Sequence, residues 1–255
     1  MELKRNPAVK AAKQFIQKYF PECEGALLAG SVVRGERTPK SDLDMIVFIK
    51  DLKSAYRESL IDFNWPIEVF VHSLTSYQHF IEKDCKEAKP SMARMISEGI
   101  IIADNGKMKT IKREARERLE QGPEPWTDEI IALKRYFITD ALDDFLGSTN
   151  RGEELMIAGA LAQQIHEFVL RTNGFWIGSS KWIIRSLRQY NSSFADEFVD
   201  AFDEFYQTGK KEPVSRLADK VLSPYGGRLF EGFSLGKETC KSEKTEEQET
   251  VPARL

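Results

Sequence analysis

Apolar residues recur at helical spacing over 8–20, where Val9, Ala12, Phe15, Ile16 and Tyr19 share one stripe. The pattern then changes to short unbroken apolar runs. Residues 25–29 predict a buried strand ending at Gly30 and Ser31, and 43–49 a second, continuous in apolar residues after Asp42 and Asp44. A third strand is expected over 67–71, Pro66 being tolerated at its start. Helices are expected over 75–83 and 89–98, then a short strand over 100–103 and a turn at Asp104–Gly106. Strands alternating with helices predict an α/β (α+β) unit with a small mixed sheet.

After Gly106 only helical periods remain. Met108, Ile111, Ala115 and Leu119 mark a charged amphipathic helix that is broken by the glycine and prolines of 121–125. Trp126, Ile130, Leu133, Phe137, Ala141 and Phe145 line the next, and 155–170, 182–190 and 194–206 continue the pattern. The expected organisation is an α/β unit over 1–106, an all-α helical bundle over 107–232, and a tail over 233–255. From Gly236 the tail holds almost no apolar residues and is expected to be disordered.

Composition narrows the class. At 255 residues, 41% hydrophobic and 30% charged, the chain has the balance of a globular protein large enough for one or two cores. A net charge of -3 argues against a general nucleic-acid binder, without excluding a local basic pocket. No apolar run approaches a membrane span and no signal-peptide core follows the N-terminus, so no membrane partner is expected. Cys23, Cys85 and Cys240 are scattered, with neither metal-ligand spacing nor a disulfide framework. Cytoplasm is the expected compartment.

The chemistry concentrates between residues 30 and 72. Asp42 and Asp44 are two apart on a strand, so both carboxylates project from one face, where they repel unless solvated or bridged by a cation. Magnesium suits such a pair, because it completes its octahedron with water and phosphate oxygens. An acid pair alone also fits a solvated strand end. The upstream loop changes that balance. Gly30 lets the backbone approach a phosphate, and Ser31 opens an expected short helix over 31–36 whose N-terminus would face an anion. Arg34 would add a charge-assisted contact and Ser41 a hydroxyl beside the acids. Glu68, in an otherwise apolar strand, is either an edge residue or a third metal ligand, and joins the pair if its strand lies beside theirs.

These residues resemble the nucleotidyltransferase superfamily named for DNA polymerase beta. Its signature is a Gly-Ser pair, roughly ten residues, an acid-apolar-acid triplet and a third acid on a later strand. Here ten residues separate Ser31 from Asp42. Arg34, Gly35 and Ser41 look like the versions in small bacterial and antibiotic-modifying enzymes, and 93–104 is similar to the segment that closes their catalytic domain. The resemblance implies that Gly30 and Ser31 hold nucleotide phosphates, and that Asp42, Asp44 and Glu68 bind magnesium and carry catalysis. The helical half looks like the C-terminal domain of kanamycin- or streptomycin-modifying relatives only in architecture and order.

The helical half is less informative. Asp140, Asp143 and Asp144 fall on neighbouring turns and offer either a general base or a solvated acidic face. His166, in an apolar helix, reads as a satisfied core histidine. Residues 178–181, Gly-Ser-Ser-Lys, either cap the next helix or direct Lys181 at a phosphate; Trp176 and Trp182 read as core aromatics flanking a cleft. The expected function is magnesium-dependent transfer of a nucleoside monophosphate, AMP from ATP, to a small-molecule hydroxyl such as an aminoglycoside-like compound. The alternatives are a protein or RNA acceptor, the latter disfavoured by charge, and a non-catalytic nucleotide sensor or partner-binding module. A homodimer is left open.

Overall fold

Five strands form one mixed sheet in the order β3-β4-β2-β1-β5. They are β1 (Gly25–Ala29), β2 (Leu43–Phe48), β3 (Tyr56–Asp62), β4 (Trp65–His72) and β5 (Ile100–Asp104). The structure, a computed structural model, describes residues 6–237. Strands β1 and β2 run antiparallel, whereas β2 and β4 run parallel with Asp44 opposite Glu68. Helix α1 (Ala8–Tyr19) covers one face, burying Ala11, Ala12, Phe15 and Ile16 against Leu28, Met45, Val47 and Val69. Helices α2 (Ser76–Lys86), α3 (Ser91–Glu98) and α4 (Met108–Glu120) cover the other, against Leu27, Ile46 and Phe48. Burial on both faces explains why β1 and β2 read as unbroken apolar runs.

Two expectations are corrected here. Strand β3 went unread, because five of its seven residues are exposed at the sheet edge and its polar Tyr-Arg-Glu-Ser start shows no buried face. Its hairpin to β4 turns through Phe63 and Asn64, both at positive φ, where the common signal would be Asn-Gly. The expected helix over 31–36 is absent as well. Residues 31–35 are a run of turns between two glycines at positive φ, Gly30 and Gly35, closed by the Glu36 N–H donating to the Ser31 carbonyl. A left-handed residue at each end leaves too few αR residues for a helix to propagate.

The remaining described helices are α5 (Asp128–Gly147), α6 (Arg151–Thr172), α7 (Trp182–Tyr190), α8 (Ser192–Thr208) and α9 (Glu212–Leu222). They enclose a second core that includes Leu142, Phe145, Leu161, Phe168, Phe202, Phe205 and Leu217. Side-chain caps start three of them: Thr127 on α5, Asn150 on α6 and Asn191 on α8. Helix α4, placed with the bundle by sequence, buries Met108, Ile111 and Ala115 against the sheet. The halves meet where the Ile177 N–H donates to the Ala88 carbonyl at 2.9 Å and Trp176 Nε1 to the Leu119 carbonyl at 2.8 Å. Most of the expected tail, 238–255, lies outside the described residues, as does Cys240. At its start Phe233 stacks on Tyr136, centroids 4.0 Å apart.

Candidate active site

Strand β1 ends at Gly30, where φ of +79° turns the chain back across the end of β2. That turn brings the Gly30 backbone so close to Asp44 that a Cβ there would sit 1.8 Å from Asp44 Oδ2. Only glycine leaves room for the carboxylate, and only glycine takes this φ without penalty. Asp44 is held on β2 between Ala29 on β1 and Glu68 on β4, so three strands fix its position.

The local electrostatics are unfavourable to Asp44 as an anion. Burial, followed by the charges of Asp42 and Glu68, pushes its carboxyl up to about 6, against a smaller opposing effect of Arg34 and Arg57. Under-compensated negative charge at a cleft is what a divalent cation neutralises, so Asp42 and Asp44 fit magnesium by donor chemistry. Glu68 shares that face of the sheet. Its carboxylate, however, is ion-paired with Arg57 and accepts a longer hydrogen bond from Ser59 Oγ at 3.4 Å, both on β3. Among the described residues no group of three metal-ligating side chains converges.

A cleft of about 350 Å³ opens beside the acid pair, between the sheet unit and the loop that precedes α7. Gly30, Ser31, Arg34, Asp42 and Asp44 line it from the sheet unit, Lys89, Pro90, Ser91, Arg94 and Met95 from the start of α3, and Ile177, Gly178, Ser179, Lys181 and Trp182 from the helical half. Of the residues expected at the site, Ser41 and Glu68 do not line it. Ser41 Oγ instead accepts from the Thr38 N–H at 2.9 Å and from Ser31 Oγ at 3.0 Å, which ties the turn to the start of β2. Its hydroxyl shapes the loop that presents Ser31.

Arg34 lines the cleft but is not idle there, with ion pairs to Glu36 at 3.2 Å and Glu98 at 3.1 Å. In the helical half Lys181 reaches the cleft, and neither neighbouring serine caps α7 with its hydroxyl. Trp182 is a cleft residue, whereas Trp176 is tied to α4. His166 is buried with Nε2 3.1 Å from the Gly178 carbonyl, so it holds the cleft loop from behind. Asp140, Asp143 and Asp144 are exposed and do not line the cleft, and Asp143 pairs with Arg228.

Sequence reasoning missed Arg94 and Arg185. Both guanidiniums lie over the Trp182 ring, at 4.4 and 5.0 Å from its centroid, with Arg34 also at 5.0 Å. An arginine within a helix carries no local signal that separates it from a solvated surface charge. Their convergence depends on how α3 and α7 pack.

The family model of the nucleotidyltransferase domain matches residues 9–102, the stretch from α1 into β5. No curated protein sequence matches the chain. Among solved structures, a nucleotidyltransferase-like protein from Exiguobacterium sibiricum 255-15 superposes at a TM-score of 0.45 and 11% identity, covering 85% of this chain and 74% of that one. No described helix is long and apolar enough to cross a membrane. Residues 9–102 of this chain are thus similar to the nucleotidyltransferase domain family.

Proposed function

We propose that the chain transfers a nucleoside monophosphate, AMP from ATP, to a hydroxyl of a small-molecule acceptor bound in the cleft. The observation that carries this reading is the left-handed Gly30 lying against Asp44, whose carboxyl is pushed up to about 6. It puts a cleft-lining backbone turn for phosphate and an under-compensated acid pair at one place. Asp42 and Asp44 would hold magnesium, with Glu68 available as a third acid on release from Arg57. Bound there, the metal would neutralise charge developing on the phosphates. Ser31 and the turn backbone would bind the phosphates, with Arg34 and Lys181 as cationic contacts. The acceptor oxygen forms a bond to the α-phosphorus, the bond to the bridging oxygen breaks, and pyrophosphate leaves while the acceptor proton is released. Catalysis is then positioning plus charge stabilisation.

The lining bears on the acceptor. Among the described residues Asp42 and Asp44 are the only carboxylates that line the cleft, and those of the helical half supply Lys181 and no acid. A polycationic aminoglycoside is poorly matched to that wall, so a neutral or anionic hydroxylated compound is the preferred acceptor within this reading. An ordinary cytoplasmic supply of ATP and magnesium suits the reaction, and Cys23 and Cys85 are free thiols.

The test is magnesium-dependent pyrophosphate release from ATP across a panel of neutral, anionic and aminoglycoside acceptors. Asp42→Asn and Asp44→Asn are expected to lower turnover at least about a hundredfold while circular dichroism stays native. Wild-type rates in both variants would sink the assignment. ATP binding without turnover on any acceptor would favour a nucleotide sensor.

A further inference from the structure

Glu68, Phe70 and His72 alternate along β4 and so share the sheet face that carries Asp44. Beyond Glu68 that face opens into a second cavity, of about 370 Å³, between β3, β4, α2 and α3. Its walls are largely apolar, from Tyr56, Phe70, Phe80, Met92 and Met95. Three polar side chains line it as well. Arg57 is already committed, being ion-paired with Glu68 and lying over the Phe70 ring at 5.0 Å from its centroid. His72 is 3% exposed and stands edge-on to Phe80, centroids 4.9 Å apart. Among the described residues neither imidazole nitrogen has a hydrogen-bond partner, and Nδ1 is fully buried. Burial also lowers the His72 pKa, so the ring is neutral at pH 7 and keeps a free lone pair. The half-buried Asp84 carboxylate accepts the Met92 N–H at 2.9 Å and no other hydrogen bond among the described residues. Buried polar groups are normally satisfied, so these unmet acceptors in an apolar chamber call for a donor.

We infer that this cavity is a binding site for a neutral, planar aromatic compound carrying an N–H or O–H group, read by His72 with Asp84 as the second acceptor. Aromatic faces and two thioethers make good contact with a flat ring. The charges that line the cavity select against ions of either sign. An anion meets Asp84 and must take Arg57 from Glu68, whereas a cation meets Arg57. A donor on a neutral ring gives His72 the partner that the fold does not supply. A mostly apolar pocket with a few convergent polar groups is the usual form of a small-molecule site. Ser91 and Met95 line both this cavity and the cleft, so an occupant sits against the same start of α3 that borders the acid pair. The site does not depend on which reaction the cleft performs.

Calorimetric titration of the full chain with indole, and with benzofuran as a probe of the same shape that lacks the N–H, tests this. Indole is expected to bind with a dissociation constant of about 0.1–1 mM, as suits so small a ligand, and benzofuran about tenfold more weakly. Ala55→Trp, which fills the cavity from the residue before β3, should abolish indole binding while circular dichroism stays native. His72→Phe keeps an aromatic ring in place and should bring indole within about twofold of benzofuran. No saturable indole binding, or binding unchanged by Ala55→Trp, would overturn the site and leave the cavity to water. Equal affinities for the two probes in the wild type, or full discrimination in His72→Phe, would overturn the polar readout. Benzoate or benzylamine binding more tightly than indole would overturn the neutral class.

Discussion

At Gly30 the absence of a side chain is what leaves room for Asp44. The site needs a carboxylate where any other residue would place its Cβ, 1.8 Å from Asp44 Oδ2, so glycine and aspartate define one unit. Gly30→Ala should therefore lose transfer activity by displacing Asp44. It should also destabilise the fold by about 1–2 kcal/mol through its left-handed φ, read as a lower midpoint in urea. Asp44 carries the opposite cost. Its folded-state pKa of about 6 lies above the unfolded value of 3.8. Below about pH 4 the group is protonated in both states and costs nothing. As pH rises through 6 it ionises at a price the unfolded chain does not incur, so the folded state loses stability. Asp44→Asn should accordingly make the metal-free protein about 1–3 kcal/mol more stable above pH 6 and no more stable near pH 4. A urea titration at both pH values, showing equal differences, would refute this.

At the scale of elements, the spacing of Gly30, Ser31, Asp42 and Asp44 announced a strand-turn-strand unit, and β1 and β2 form at those places because both faces of each are covered. Two elements escaped. The polar edge of β3 lacks the alternation that a half-buried strand shows, and the 31–36 segment is stopped by glycines at both ends. What β3 contributes is specific: Arg57 and Ser59 occupy the Glu68 carboxylate, and this diverts the third acid from the pair. The bundle helices depend on local signals to a greater degree. Asn191 closes α7 and caps α8 by accepting the Phe194 N–H at 2.9 Å. Asn191→Ala should cost about 1 kcal/mol, visible as a lower thermal midpoint.

Across the whole molecule the cleft depends on two cores that share a seam. Ala88 bonds to Ile177, Trp176 to Leu119, and Glu36 links Arg34 in the turn to Arg185 on α7. A ligand bound to both walls stabilises both halves at once. Magnesium and ATP at about a hundred times the dissociation constant should add about 2.7 kcal/mol, a thermal shift of about 5–10 °C. Asp44→Asn should lose most of that shift. Calorimetric scans that show no shift in the wild type, or the same shift in the variant, would rule out donor binding at this cleft.

By itself the sequence determined where the acid pair and its glycine-serine turn come together. Gly30, Ser31, Asp42 and Asp44 lie within one strand-turn-strand unit, where alternation and chain reversal are local properties that spacing encodes. It also determined the change from a mixed sheet to helices, because buried strands and amphipathic helices differ in apolar period. Tertiary structure alone decided that Ser41 serves the loop, that Glu68 is held by Arg57, and that Arg94 and Arg185 meet Arg34 around Trp182. The three arginines lie on separate elements far apart in the chain, and Arg57 reaches Glu68 only through the pairing of β3 with β4. Their proximity is set by how β3, α3 and α7 pack, and no local pattern of polar and apolar positions records that geometry.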